Sequence, residues 1–159
     1  MRYKAKATKQ PMPFSYQRLI VPVNGTSGDA RVLSMVGEIL HQHNAAVTLI
    51  YVVEVQQSMP LDAELPAEIN RGEAILHRAE EMAKSAIGHK IDRLTTDLLQ
   101  SRSAGSAIVD EAIERNANAI VMASTLRNKH GKLSLGETSG YIIKNAPCEV
   151  VVVRLALSD

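Results

Sequence analysis

The sequence predicts an α/β protein with a doubly wound, five-stranded parallel sheet and helices on both faces of the sheet. Short aliphatic runs alternate with segments of helical periodicity along most of the 159 residues. Aromatic side chains make up only 3% of the chain, so Val, Ile, Leu and Ala have to form the core. Strands buried on both faces read as continuous aliphatic runs of this kind, which is typical of parallel sheets covered by helices.

Five aliphatic runs are predicted as strands. Pro22 has no N–H group for a strand ladder, so we expect the first strand to be ending at that residue. Successive strand–helix–strand units with right-handed crossovers make the sheet parallel. The predicted strands are residues 18–23, 46–53, 94–99, 119–123 and 149–153.

Four helices are predicted between these strands from apolar residues spaced three and four apart. Pro66 suits the first turn of the second helix, and Gly88 suits its end. Between the fourth strand and the last helix, residues 127–132 form a basic segment that we expect to be a flexible loop. The predicted helices begin near residues 30, 66, 105 and 136 and end near residues 44, 87, 116 and 145.

The first fifteen residues differ in composition from the rest, so we divide the chain into a flexible basic tail or linker, 1–15, and a domain, 16–159. Four unbalanced basic residues and two prolines exclude regular structure in the tail. One interpretation is a solvated, disordered terminus. The other is a juxtamembrane linker, which would make the domain the cytoplasmic regulatory part of a membrane transporter. The basic residues are Arg2, Lys4, Lys6 and Lys9, and the prolines are Pro11 and Pro13.

Charge and cysteine content narrow the classes of function. There are 18 basic and 17 acidic residues, a net charge of +1 that gives no argument for a nucleic-acid partner. The single cysteine, Cys148, excludes an internal disulfide and fits a reducing compartment, so we expect a cytoplasmic location. The five histidines never pair with acids or thiols at ligand spacing, so no metal site is expected. No apolar run is long enough to span a bilayer.

A ligand site is predicted at one edge of the sheet. Ligands of open parallel sheets bind beyond the carboxyl ends of the strands, where the strand order reverses. The two best candidates, which carry small, polar or glycine residues, are residues 22–26 after the first strand and 122–124 at the end of the fourth. The basic segment, Gly136 and the hydroxyls of Thr138 and Ser139 follow, and together with a helix N-terminus they favour an anion. Val52, near the end of the second strand, is placed to pack against a flat base.

Residues 16–155 resemble the universal stress protein family. The run Val21-Pro22-Val23-Asn24-Gly25-Thr26 is similar to that family's opening strand and turn, where an aspartate commonly stands in the place of Asn24. Residues 49–53 and 146–154 resemble its second and closing strands. The resemblance implies an adenine nucleotide alpha-hydrolase-like, Rossmann-like fold and ATP or AMP as ligand, with Mg²⁺ accompanying a triphosphate. It also implies a homodimer through residues 148–155, whose aliphatic strand has no helix after it to cover it.

The phosphate motif of the family's nucleotide-binding branch is only partly present. That motif has a glycine, two residues, a glycine, nine residues, and then a glycine followed by serine or threonine. These positions fall on Ala123, Leu126, Gly136 and Glu137. One glycine of three remains, and a carboxylate replaces the hydroxyl. The departure weakens the argument for ATP, while the adenosine half of the site is kept.

Three functions follow as hypotheses. The favoured one is a dimeric regulatory domain that binds an adenine nucleotide, with base and ribose against the first strand and phosphates at the fourth. The second is an adaptor that has lost triphosphate binding and acts through its dimer surface. The third and weakest is an adenylating enzyme, because the loop 24–29 lacks the spacing of a pyrophosphate-binding loop and Asp29 and Glu137 fit better as helix-start residues. Slow ATP hydrolysis is left open.

The nucleotide hypothesis names thirteen site residues and no catalytic residue. Pro22, Val23, Asn24 and Val52 are assigned to base and ribose, and Ser124, Arg127, Thr138 and Ser139 to phosphates. The complete predicted set is Pro22, Val23, Asn24, Gly25, Thr26, Val52, Met122, Ala123, Ser124, Arg127, Gly136, Thr138 and Ser139.

Overall fold

The computed structural model describes residues 15–88 and 91–156, in which strands and helices alternate as predicted. The second helix begins at Pro66 and is capped by Gly88 with φ 69°, as the sequence indicates. The helices are α1 (Ser27–Gln42), α2 (Pro66–Ile87), α3 (Ala104–Glu114) and α4 (Glu137–Asn145). The strands are β1 (Arg18–Pro22), β2 (Ala46–Glu54), β3 (Leu94–Ser101), β4 (Ala119–Ser124), β5 (Arg127–Lys129), β6 (Lys132–Ser134) and β7 (Glu149–Arg154).

Five strands form one parallel sheet in the order β3-β2-β1-β4-β7. The central strand β1 pairs with β2 along its whole length and with β4 through Leu19 and Ile20. From β1 the chain builds outward to β3, and then returns to the other side of β1 to add β4 and β7. The strand order therefore reverses between β1 and β4, and the predicted fold class is confirmed.

Helices cover the two faces of the sheet and bury two aliphatic clusters. α1 and α2 pack on one face, where Val21, Leu33 and Leu49 are fully buried. α3 and α4 pack on the other face, over Ile20 and Ile50. Because both faces of β1 and β4 are covered, these strands contain almost no polar side chains, which explains the aliphatic runs in the sequence.

The basic segment after β4 is a β-hairpin, so its prediction as a flexible loop is wrong. β5 and β6 pair antiparallel, with Lys129 opposite Lys132. His130 and Gly131 form the turn with φ 54° and 76°, the positive values that a two-residue hairpin turn of matching twist requires. The sequence hides this hairpin because Leu133 is the single large apolar residue in it, so no alternation of buried and exposed positions marks the strands.

The chain enters β1 along the amino edge of the sheet. The carbonyl of Gln17 accepts a hydrogen bond from the backbone N–H of Ala46 at 2.8 Å. Oδ1 of Asn118 accepts from the backbone N–H groups of Gln17 and Arg18, both at 2.7 Å. All but the last residue of the predicted tail, 1–15, lies outside the described residues, so the tail stays a prediction. None of the helices in the described part of the chain is long and apolar enough to cross a membrane.

Two glycines in helices provide a matched test of this packing. A Cβ on Gly72 of α2 would lie 2.6 Å from Cδ1 of Tyr51 and 2.8 Å from Cδ1 of Leu98, whereas a Cβ on Gly140 of α4 would meet nothing within 4 Å. We expect Gly72→Ala to lower the free energy of unfolding by about 1–3 kcal/mol, because overpacking outweighs the gain in helix propensity. Gly140→Ala should raise it by up to about 1 kcal/mol.

Urea denaturation of both variants measures these changes. A Gly72→Ala variant as stable as the Gly140→Ala variant would contradict the close seating of α2 on β2 and β3.

Candidate functional site

Two loops meet at the carboxyl edge of the sheet, where the strand order reverses. The first, residues 23–26, joins β1 to α1. The second, residues 125–136, contains the β5–β6 hairpin and joins β4 to α4. Because β1 and β4 are neighbours, the two loops lie side by side, and the N-terminal ends of α1 and α4 stand beside them. Helix N-termini carry unpaired N–H groups and a partial positive charge, which favour an anion.

Asp29 organises the loop after β1 from the first turn of α1. Its side chain is only 5% exposed. Oδ1 accepts a hydrogen bond from the backbone N–H of Asn24 at 3.1 Å, and Oδ2 accepts one from the N–H of Gly25 at 2.7 Å. A residue expected only to start a helix therefore turns back and engages two amides of the loop. These amides are already paired with an anion of the chain itself.

Gly25 allows this loop to pass close to α2. Its φ is 82°, in the region that favours glycine, and a Cβ at this position would lie 2.8 Å from Cδ1 of Ile75. Ile75 belongs to α2, is partly buried against the core, and is not among the predicted site residues. The side chain of Ile75 packs against Gly25 and so fixes the position of the loop, but it offers a ligand no polar group.

Asn24 and Thr26 are linked by an Asx-type turn. Oδ1 of Asn24 accepts hydrogen bonds from the backbone N–H of Thr26 at 3.1 Å and from its Oγ1 at 2.7 Å. Both residues are exposed. Since Oδ1 faces Thr26, the Nδ2 group of Asn24 points away from Thr26 and is oriented to donate rather than accept. The amide thus presents donors where a carboxylate would present acceptors.

The predicted residues at the strand ends divide between the two faces of the sheet. By register, Pro22 and Val52 lie on the face that α3 and α4 cover, and both are partly exposed. Met122 lies on the same face but is 3% exposed, and Val23 is buried in the opposite cluster. Only the main chain of Met122 and Val23 can therefore reach a ligand, whereas Pro22 and Val52 present side chains at the edge.

Two of the departures from the glycine motif fit this backbone without strain. A Cβ on Gly28 of α1 would lie 2.9 Å from the Cβ of Ala123, so the close approach of α1 to β4 depends on a glycine in α1 and not in β4. Leu126 has ordinary backbone geometry, since the non-glycine residues with positive φ in the described part of the chain are Asn116 and His130. The conformation seen here therefore does not require glycine at 123 or 126.

Ser124 and Ser139 form a buried hydroxyl pair between the end of β4 and α4. Oγ of Ser124 donates to the carbonyl of Leu135 at 3.2 Å and lies 2.9 Å from Oγ of Ser139. A hydroxyl has one proton, so Ser139 is the donor to Ser124. Both protons are then used within the protein. The pair anchors α4 to β4, and its members would have to rearrange before either donated to a phosphate.

Side chains of both charges lie at the N-terminus of α4. Gly136 caps the helix with φ 83°, and a Cβ on it would lie 3.8 Å from Cδ and Nε of Arg127. The guanidinium of Arg127 therefore stands close to the helix N-terminus. Glu137 occupies the first turn, where a carboxylate is favoured by the helix dipole. Arg127, Glu137 and Thr138 are all exposed and accessible to a ligand.

The loop between β2 and α2 lies at the same edge of the sheet, and none of its residues is among the predicted site residues. The backbone N–H of Val55 donates to the carbonyl of Ser101 at 2.8 Å. Nε2 of Gln100 donates to the carbonyl of Ala63 at 3.0 Å, and Arg102 donates to the carbonyl of Gln56. These bonds hold residues 55–65 against the end of β3. Within the described residues, no group of three or more His, Cys, Asp and Glu side chains is placed to bind a metal ion.

Comparison with known proteins identifies the family. The sequence profile of the Universal stress protein family matches residues 15–154. The chain belongs to the universal stress protein family. A universal stress protein of Methanocaldococcus jannaschii is 30% identical to this family member in an alignment of 145 residues that covers 87% of this chain and 82% of the relative.

Solved universal stress proteins have the same fold. One from Archaeoglobus fulgidus, in complex with dAMP, superposes with a TM-score of 0.65 at 18% identity, over 87% of this chain and 98% of the other. Another, in complex with cAMP, gives a TM-score of 0.62 at 18% identity, over 90% of this chain and 100% of the other. This family member therefore has the adenine nucleotide alpha-hydrolase-like fold that the resemblance implies.

Asp29 makes stability depend on pH in a definite direction. Burial raises the pKa of Asp29 above its ordinary value of 3.8, and the hydrogen bonds from Asn24 and Gly25 oppose part of that rise. With a raised pKa, the folded state binds the proton more tightly than the unfolded state. The contribution of Asp29 is therefore largest below pH 3.8 and is lost as the pH rises through the elevated pKa.

We expect the free energy of unfolding of the wild type, relative to that of Asp29→Asn, to decline between about pH 3 and about pH 7. Urea denaturation across this range measures the difference, with Asp62→Asn in an exposed loop as the control for loss of one carboxylate. A difference that rises with pH would show that the two backbone hydrogen bonds outweigh burial.

Proposed function

We propose that this protein is a regulatory domain that binds an adenine nucleotide at the carboxyl ends of β1 and β4, and that it favours a monophosphate over a triphosphate. The observation that carries the proposal is the pairing of β1 with β4 at the reversal of strand order. This pairing brings residues 22–26 and 122–124 together with the N-terminus of α4. The dAMP and cAMP complexes of proteins with the same fold support an adenine ligand.

The adenosine half of the ligand is assigned to the first strand. Pro22 and Val52 offer partly exposed apolar surfaces on one face of the sheet, suited to a flat base. The exposed amide of Asn24 supplies donors for ribose hydroxyls, in the orientation that its bond with Thr26 imposes. Gly25, held between Asp29 and Ile75, lets the sugar approach the main chain.

The phosphate half has few donors, which is why a monophosphate is favoured. The amides of Asn24 and Gly25 are paired with Asp29, and the protons of Ser124 and Ser139 are used within the protein. Arg127, Thr138 and the N-terminus of α4 remain for a phosphate. Any Mg²⁺ would arrive with a triphosphate and be held mainly by its phosphates, because the described residues offer no cluster of ligands.

Glu137 is the residue that discriminates between the nucleotides. A carboxylate close to a triphosphate is repelled by roughly 1–3 kcal/mol at intermediate effective dielectric, or about tenfold to a hundredfold in affinity. We expect Glu137→Ser to tighten ATP binding by that factor and to change AMP and adenosine binding less. The same change should lower the free energy of unfolding by about 0.3–1 kcal/mol, because a charge favourable to the helix N-terminus is lost.

Isothermal titration with ATP, AMP and adenosine, together with a thermal melt, measures these effects. Glu114→Ser, which removes an exposed carboxylate from the last residue of α3, is the matched control and should leave all three affinities unchanged. If Glu137→Ser binds ATP no better than the wild type, Glu137 does not face the phosphates. Assaying released inorganic phosphate in the ATP titration tests for slow hydrolysis.

An adaptor function is the second candidate, and the same internal pairing of donors favours it. Because the loop amides and buried hydroxyls of the site are already paired, they stabilise the fold whether or not a nucleotide binds. In that case the domain acts through its surfaces in the cytoplasm, joined through its basic tail to a membrane transporter. Failure of wild-type protein to bind ATP, AMP or adenosine at millimolar concentration would select this function.

We also propose a homodimer built on residues 148–155. β7 is an edge strand of the sheet, and Val150 to Val153 are only partly buried. An aliphatic edge strand pairs readily with a second copy of itself, and a twofold axis makes such an interface self-complementary. Cys148 begins this segment as a free thiol, and burial raises its pKa, so it is suited to packing rather than to reaction.

Light scattering at tens of micromolar protein is expected to show a dimer. Val150→Lys, which introduces a charge into β7, should shift the protein to monomer. Thr96→Lys on the opposite edge strand β3, at an exposed position, should leave the dimer intact. A wild-type monomer at this concentration would contradict the proposed interface.

A further inference from the structure

A cavity lies at the amino edge of the sheet, at the opposite end from the proposed nucleotide site. It is formed where β1, β2 and β3 begin, and its volume is about 410 Å³. Small-molecule sites typically measure about 300–1,000 Å³. Ile20, Ala46 and Ala117 form part of its apolar lining. These positions lie at the amino edge, on the face of the sheet that α3 covers, and none of the lining residues belongs to the carboxyl-edge loops.

Two threonines and three arginines also line the cavity. Thr48 and Thr95 stand at equivalent positions of β2 and β3, and their hydroxyl oxygens are 3.0 Å apart. Arg18, Arg93 and Arg115 also line the cavity. The three arginines come from β1, from the turn before β3 and from the end of α3, and the fold alone brings them together.

The three guanidinium groups differ in how they are neutralised. Arg115 forms ion pairs with Asp97 and with Glu111, the latter at 2.8 Å. Nε of Arg18 donates to the main-chain carbonyl of Asn116 at 2.8 Å, a neutral partner that orients the side chain but leaves its charge unpaired. Within the described residues, neither Arg18 nor Arg93 forms an ion pair with a carboxylate.

We propose that this cavity binds a small organic anion, with its phosphate or carboxylate group held by Arg18 and Arg93 and its apolar part lying on Ile20, Ala46 and Ala117. Guanidinium groups match the planar, bidentate geometry of both oxyanions. The hydroxyls of Thr48 and Thr95 provide a further polar contact at the wall. The basic tail of the chain does not complement this site, because its charge has the same sign as that of the two arginines.

Titration with phenyl phosphate and, separately, with benzoate tests the site. Binding is monitored through the amide NMR signals of Thr48, Thr95 and Ala117. Both probes carry an apolar ring and differ in the oxyanion, so the tighter one identifies the preferred head group. We expect saturable shifts of these amides with at least one of the two anions, and none with phenol, which has the same ring without the charge.

Arg93→Gln is the decisive variant, because this side chain makes no hydrogen bond or ion pair within the described residues and its loss should not disturb the fold. We expect it to weaken anion binding by about tenfold or more. Arg78→Gln, at an exposed position on α2 on the other face of the sheet, is the matched control and should bind as the wild type does.

Three outcomes would overturn the proposal. One is the absence of saturable shifts at the amino edge with both anions. Another is shifts confined to residues 22–26 and 136–139, which would place the anion at the nucleotide site. The third is equal affinity of the Arg93→Gln and Arg78→Gln variants. The nucleotide proposal is independent of these results, since no residue belongs to both sites.

Discussion

The parallel pairing of β1 with β4 is the interaction on which the rest of the structure depends. It joins the half of the sheet built outward to β3 to the half that ends in β7. Since β1 and β4 are not consecutive in sequence, the loops after them leave the sheet toward opposite faces and open a crevice between them. This pairing brings the residues of β1 and β4 that are proposed to hold a nucleotide next to the N-terminus of α4.

Several polar groups of the crevice between β1 and β4 are already paired within the protein. Asp29 supplies an anion to two main-chain amides of the first loop. Ser139 donates to Ser124, which in turn donates to the carbonyl of Leu135 in the second loop. These hydrogen bonds hold the two loops in place through groups of the chain itself. They also remove donors that a triphosphate would need, while Glu137 adds negative charge at the start of α4. Together these features favour a ligand of low negative charge at the proposed site.

Much of the fold could be predicted from local patterns in the sequence. Aliphatic runs marked the buried strands, and Pro22, Pro66 and Gly88 marked ends of elements for backbone reasons that do not depend on tertiary contacts. The β5–β6 hairpin was missed because its described side chains are exposed, and its His130-Gly131 turn lacks the common asparagine or aspartate. Exposed strands of this kind show no alternation of apolar and polar residues, so hydrophobic periodicity could not predict them.

The site was less predictable because its contacts join residues that are distant or unexpected partners. Residue types and the resemblance to a family pointed to the ends of β1 and β4, but not to the return of Asp29 onto Gly25 or to the packing of Ile75 against the loop. The Ser124–Ser139 bond spans fifteen residues. The arginines of the amino-edge cavity are even further apart in sequence, and no motif connects them.

The most direct measurement of the central claim is an amide NMR titration of the wild-type protein with AMP. Binding at the crevice between β1 and β4 predicts saturable shifts in residues 24–26, 124–127 and 136–138. Absence of any saturable shift at millimolar AMP, or shifts confined to residues outside these loops, would contradict the account.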